Sequence, residues 1–212
     1  MFNLRKSSKI SNVSLDYSLL SSEQIRMIRM NVENALKKDS FILMVTSPDK
    51  DEDEALLSSK LAIAFSEQKK RVLLVDANLR NPSIHSLFAA DNTNGLANAV
   101  SQGKKMRMYT KNTFIENLSI LPAGTVSENT PNVFVSRNLE ESLSGWTAEF
   151  DVIIIEAPAF LERSDTQIVA EHCDGVVLVV KANKTKKEKI VKTKSYLERA
   201  KKSIVGVIYQ TG

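Results

Sequence analysis

The sequence predicts an α/β protein built on a doubly wound, mostly parallel sheet flanked by helices. Three observations predict it. Short runs such as Phe41 to Val45, Val152 to Ile155 and Val176 to Val180 are apolar at every position, as strands buried on both faces must be. Helix-period stretches lie between them, which is the alternation of a parallel sheet. Two runs end directly in an acid, Asp76 after Leu73-Leu74-Val75 and Glu156 after Ile153-Ile154-Ile155. Ligands in such sheets bind at the carboxyl ends of the strands.

At 212 residues the chain has room for one domain with a substantial core. Its 42% apolar and 25% charged residues are ordinary for a soluble globular protein, and its net charge of +4 is modest. The single cysteine, Cys173, excludes an internal disulfide and fits a reducing cytoplasm. No apolar run approaches the roughly 18 residues of a membrane span, and the N-terminus lacks a signal-peptide core. The expected location is the cytoplasm, with any recruitment to the inner face of the membrane supplied by a partner.

Taken in order, residues 1–18 are polar, Ser-rich and basic and read as a flexible arm, and residues 19–212 read as one domain. Ser21-Ser22-Glu23-Gln24 has the form of a capped helix start, continued by Ile25, Ile28, Val32 and Ala35 at helical spacing. Glu23 precedes Arg26 by one turn, the spacing of an ion pair. Phe41 to Val45 is the first strand, Leu56 to Phe65 the next helix and Arg71 to Val75 the second strand. Leu118 to Leu121, Val152 to Ile155, Val176 to Val180 and Ile204 to Ile208 supply further strands. Asp91 to Ser136 is rich in turn residues and reads as irregular surface. Ser164-Asp165-Thr166-Gln167 reads as a second helix cap. Cys173, Trp146 and Phe150 read as packing residues, and His85 and His172 stand apart from any nucleophile. Between Lys181 and Lys202 ten Lys/Arg occur with only Glu188 and Glu198. That run reads as a solvated helix face. Its alternative is contact with an acidic partner, anionic lipid or nucleic acid, the last disfavoured by the lack of interleaved aromatics.

The chemistry is concentrated between the first strand and its helix, in Val45 to Leu56. A strand, a short loop and a helix form the setting of a phosphate-binding loop. Such a loop works because glycines let backbone N–H groups curl around the anion while a lysine neutralises it. This loop has no glycine, and it carries four consecutive acids, Asp51 to Glu54. Asp49, Asp51 and Asp53 match three positions of a calcium loop. Glu54 then falls where glycine is needed and Lys60 where the bidentate glutamate is needed, so no metal is expected.

With these residues in view, the chain resembles the cytoplasmic bacterial tyrosine kinases (BY-kinases) of capsule and exopolysaccharide operons, over residues 18–210. The matching stretches are Ser22 to Asn31, Leu73 to Pro82, Phe150 to Pro158 and Cys173 to Val180. The resemblance implies a P-loop NTPase-like fold with Walker A, A′ and B motifs, and Mg²⁺–ATP-dependent autophosphorylation on a C-terminal tyrosine cluster. It also implies a ring assembled through a Glu-x-x-Arg-x-x-Arg helix and a membrane activator whose cytoplasmic tail completes the site.

Position by position, the motifs are unequally kept. The ring helix is present at Glu23, Arg26, Arg29 and Asn31. Walker A′ keeps Asp76 and Arg80 but has Asn78 for its second aspartate, and the Walker B acid is Glu156. In Walker A the glycines fall at Asp51 and Asp53, the lysine at Glu54 and the magnesium-binding hydroxyl at Ala55. After the last strand the only tyrosine is Tyr209. Like charges about 4 Å apart repel by about 1 kcal/mol in water and about 4 kcal/mol at an effective dielectric of 20. Four acids therefore oppose a triphosphate by several kcal/mol. The acids instead suit a first helical turn, and Ser47-Pro48 suits a cap, so the helix is expected to begin as early as Pro48.

These readings lead to a catalytically degenerate kinase homologue that acts as a regulatory or ring-forming partner in capsular or exopolysaccharide biosynthesis. Asp76, Asn78 and Glu156 are vestigial, and the loop of Asp51, Asp53, Glu54 and Ala55 does not bind nucleotide. No cofactor is expected; ATP and Mg²⁺ enter only under the alternative of an active tyrosine autokinase. Expected partners are copies of itself or an intact kinase paralogue, together with the tail of a membrane co-polymerase-type activator. A partitioning-type ATPase relative is the third reading, and the Arg-bearing N-terminal helix argues against it.

Overall fold

The computed structural model describes residues 21–50, 53–102, 106–125, 134, 143 and 145–211. The expected N-terminal arm and two of the loop acids, Asp51 and Glu52, lie outside the described residues.

Seven strands form one sheet in the order β3-β4-β2-β5-β1-β6-β7. They are β1 Phe41–Thr46, β2 Val72–Asp76, β3 Lys111–Asn112, β4 Leu118–Leu121, β5 Val152–Glu156, β6 Gly175–Lys181 and β7 Ile204–Gln210. Every pairing is parallel except the short edge ribbon of β3 with β4. The strands in the middle are buried at every position, which is why their sequences are continuously apolar.

The helices are α1 Ser22–Leu36, α2 Glu54–Ser66, α3 Ile84–Leu87, α4 Leu96–Gln102, α5 Ser164–Glu171 and α6 Lys187–Arg199. On one face, α1 to α3 pack on Leu43, Val45, Leu74 and Ile154 through Val32, Leu57, Leu61, Phe65 and Ile84. On the other, α4, α5, α6 and the helical residues 145–149 cover Met44, Leu73, Ile153 and Leu178. The alternation of side chains along each strand divides the core into these two layers. Phe41 and Phe65 meet edge-on at 5.7 Å where α2 crosses the sheet.

The expected start of α1 is present in full. Ser21 accepts from the Gln24 backbone N–H at 3.3 Å, and Gln24 accepts from the Ser21 N–H at 2.9 Å. Ile25 and Val32 are buried, whereas Ala35 is exposed and Leu36 takes its place on the packed stripe. The Glu23–Arg26 pair does not form: Arg26 reaches Glu67 on the neighbouring turn at 3.8 Å. At the second expected cap, Ser164 is already helical, and Gln167 donates to the Phe160 carbonyl.

Asp91 to Ser136 is less irregular than its composition suggests. Its described part contributes α4, β3 and β4, and it buries Leu96, Val100, Tyr109 and Ile120. Glycine makes this possible at one crossing. A Cβ on Gly95 would stand 2.0 Å from the Pro122 carbonyl oxygen, and that close approach lets Leu96 donate to the same carbonyl at 2.8 Å.

Candidate functional site at the strand ends

Five parallel strands finish side by side in Asp76, Glu156, Thr46, Lys181 and Gln210, in sheet order. Asp76 and Glu156 are direct neighbours in the β2–β5 register, and Val45 is opposite Glu156 on the other side. The two acids seen at the strand ends in the sequence are therefore brought together.

Asp76 is fully buried and accepts backbone N–H groups from Asn78 (3.1 Å), Ser83 (3.0 Å) and Ile84 (3.1 Å). It acts as a staple that closes the β2 loop onto the start of α3. Glu156 is also buried, and its Oε2 has no hydrogen-bond partner. Burial pushes its carboxyl well above the ordinary value, and the charges of Asp76 and Glu54 push it further. Burial raises Asp76 as well, but its three N–H donors favour its ionised form. Of the two neighbours, Glu156 is the one whose surroundings more strongly favour the protonated form.

Glu54 provides the third carboxyl. It is buried at the first position of α2 and accepts the Ser47 hydroxyl. This corrects the expectation that the helix begins as early as Pro48. The helix begins at Glu54, and Ser47 gives its hydroxyl to the Asp49 carbonyl and to Glu54 instead of capping a turn. Of the described loop acids, Glu54 does occupy the first turn of α2, whereas Asp53 and Asp49 pair with cations from other elements. Asp53, the N-cap residue of α2, is ion-paired with Lys181 and accepts Gln210 Nε2 at 3.3 Å. Asp49 is paired with Lys189 of α6, whose ammonium holds its carboxyl below the usual range.

Lys181, Lys189 and Gln210 were not anticipated as site residues. The available signal was electrostatic: an acidic run at 49–54 and a basic run at 181–202 in one compact domain are candidates for each other.

The remaining expected residues fall in different places. Ala55 is buried with its methyl group in the α1–α2 core layer. Asn78 is half-buried and accepts the Asn81 N–H at 3.3 Å, while Arg80 is exposed. On α1, Glu23, Arg26 and Asn31 are exposed beside Met27 and Met30, but Arg29 is drawn inward onto Glu33 at 2.5 Å. Among the described residues no group of three or more His, Cys, Asp or Glu side chains is placed to hold a metal ion. The described part of the site gathers the carboxyls of Asp76, Glu156 and Glu54, with Lys181 and Lys189 held on the adjacent Asp53 and Asp49.

A family model described as cellulose biosynthesis protein BcsQ matches residues 52–202. The tyrosine-protein kinase YwqD of Bacillus subtilis is 33% identical over 190 residues, which is 89% of this chain and 80% of that protein. The chain belongs to the bacterial tyrosine-kinase family. A putative tyrosine-protein kinase CapB of Staphylococcus aureus is 28% identical over 88% of this chain and 82% of its own length. Among solved structures, the kinase domain of Escherichia coli ETK superposes with a TM-score of 0.87 at 22% identity, covering 98% of this chain and 83% of that one. The chimerical protein CapA2B2 superposes with a TM-score of 0.82 at 24% identity, over 88% and 83%. The septum site-determining protein MinD of Pyrococcus horikoshii superposes more loosely, at 0.69 and 23% identity over 80% and 70%, which shows a fold shared beyond the kinases. The kinase family's architecture, a P-loop NTPase-like sheet, is thus this chain's own.

Proposed function

We propose that this member of the kinase family is a catalytically degenerate homologue. It acts as a regulatory or ring-forming partner in capsular or exopolysaccharide biosynthesis, the pathway in which tyrosine kinases of this kind are expected to work. The observation that carries the reading is Glu54. Where the resemblance puts the phosphate-binding lysine, a buried carboxylate accepts the Ser47 hydroxyl and faces Glu156. A triphosphate entering there meets negative charge instead of an ammonium, and Ala55 offers no hydroxyl to a metal. The residues do not fit Mg²⁺–ATP.

The partners that suit this role are further copies of the chain, an intact kinase paralogue, and the cytoplasmic tail of a membrane co-polymerase-type activator. The exposed Glu23, Arg26, Met27 and Met30 on α1 support a ring contact. The working location is the cytoplasm, at the inner face of the membrane when the activator is engaged. Among the described residues no helix is long and apolar enough to cross a membrane.

The test is thermal unfolding with increasing Mg²⁺–ATP. The expected outcome is an unchanged midpoint; saturable stabilisation at sub-millimolar ATP overturns the reading. One observation favours an active autokinase instead: Lys181 and Lys189 stand at the loop and would face a phosphate if Asp53 and Asp49 released them. Incorporation of labelled phosphate into the purified chain distinguishes that case.

A further inference from the structure

We propose that the outer face of α6, continued by the exposed side of β7, is an adsorption surface for an anionic lipid bilayer. The basic run at 181–202 divides into two populations. Lys181 and Lys189 turn inward to the loop acids, and Lys202 donates to the Cys173 carbonyl at 3.1 Å. Lys184, Lys186, Lys187, Lys192 and Lys201 are exposed and make no ion pair among the described residues. Lys194 is shared with Glu198 at 3.5 Å, and Arg199 lies over the Tyr196 ring at 4.5 Å. Neutralising the loop therefore accounts for only part of the charge, and what remains is exposed along α6 and at its two ends.

That side also carries apolar groups. Helical geometry puts Val191, 56% exposed, beside Lys187 and Lys194 on an outward arc that extends to Lys192 and Arg199 and is interrupted by Glu188 and Glu198, leaving an excess of basic residues. Val207 and Tyr209 pair in register with Leu178 and Val180 of β6, so they lie on the sheet face that α6 covers, yet they remain 57% and 59% exposed at the edge. Lysines around a valine, with a tyrosine alongside, match the boundary between headgroups and acyl chains. Cations there meet anionic headgroups, and an amphipathic ring sits at their level. Nucleic acid would require a row of stacking rings, which this face lacks. The proposal uses none of the residues that hold the loop acids and does not depend on the function proposed above.

The experiment is flotation of the full chain with vesicles of phosphatidylcholine, with and without phosphatidylglycerol. Binding is expected only to the anionic vesicles and is expected to fall steeply as salt rises, because surface charges beyond about 8 Å are screened at physiological ionic strength. The double variant K187E/K192E is expected to lose at least about tenfold in affinity, since each cation near an anionic surface contributes close to that factor. R107E, just before the edge strand β3 at the opposite end of the sheet, is expected to bind as before, and both variants are checked for an unchanged unfolding midpoint. No binding to anionic vesicles at low salt overturns the proposal. So does full retention of binding by K187E/K192E, or equally tight binding to soluble polyglutamate.

Discussion

Lys181, the last residue of β6, is ion-paired with Asp53, the residue at the N-cap position of α2. Both side chains are 19% exposed, so the pair is shielded from solvent more than a surface bridge. The tether fixes the loop to β6, the strand that pairs with β1, and Gln210 at the end of β7 adds a second hold on the same carboxylate. Lys181→Ala is expected to cost about 1–2 kcal/mol, because it leaves a partly buried carboxylate unpaired. Lys181→Ala/Asp53→Ala together are expected to cost less than the sum of the single changes. Urea unfolding of the four proteins reads the coupling directly, and strict additivity would show that the pair contributes nothing.

The pH dependence follows from Glu156. Its pKa is raised in the fold, so below the ordinary glutamate value both folded and unfolded chains hold the proton and the buried group carries no penalty. As pH rises past about 4.5, the unfolded chain releases its proton while the folded chain retains it, and stability falls with pH. Asp76 shifts in the same direction and adds to the slope. Glu156→Gln keeps the shape without the titration and is expected to flatten the decline between mildly acidic and alkaline pH. Chemical denaturation at a series of pH values checks it; an equal slope in both proteins would assign the decline to other groups.

Rebuilding the loop tests whether its acids would oppose a nucleotide. Asp51→Gly/Asp53→Gly/Glu54→Lys/Ala55→Thr restores the glycines, the lysine and the hydroxyl together. Thermal stabilisation by Mg²⁺–ATP is expected in this variant and absent from the native chain. Glu54→Gln alone removes one charge without supplying an ammonium and is expected to give none.

Gly95→Ala is expected to destabilise by about 2–4 kcal/mol, since its methyl group would overlap backbone rather than a movable side chain. Gly145→Ala, where a Cβ meets nothing within 4 Å, serves as the tolerant control. Comparable losses at both positions would refute the steric account.

The ring contact is tested on α1. Arg26→Ala is expected to lower the mass seen by light scattering if the native chain assembles, whereas Arg29→Ala is expected to act mainly on stability, because Arg29 is held against Glu33. A native chain that stays monomeric at every concentration would remove the basis for a ring.

Much of this molecule was legible from its residues. Continuous apolar runs identified the central strands, since a strand buried on both faces cannot be polar on either. The capping box at Ser21 and Gln24 is local chemistry, complete within four residues, and the structure reproduces it. Asp76 and Glu156 were visible as acids ending buried strands, and the register made them neighbours. The Asp91–Ser136 segment was misread because its burial comes from partners far along the chain.

The sequence by itself determined the sheet, the position of the loop and the reversal of the loop's charge, because each depends on residue types within one short segment. Tertiary structure alone decided where those charges end. Lys181 and Lys189 are 128 and 140 positions from the acids they neutralise, Asp53 and Asp49, and nothing local pairs them. Parallel strands bring their carboxyl ends to one edge of the sheet whatever their separation in sequence. That geometry, with long-range ion pairs available, let α2 begin at Glu54 rather than Pro48, and it buried Glu156 beside Asp76.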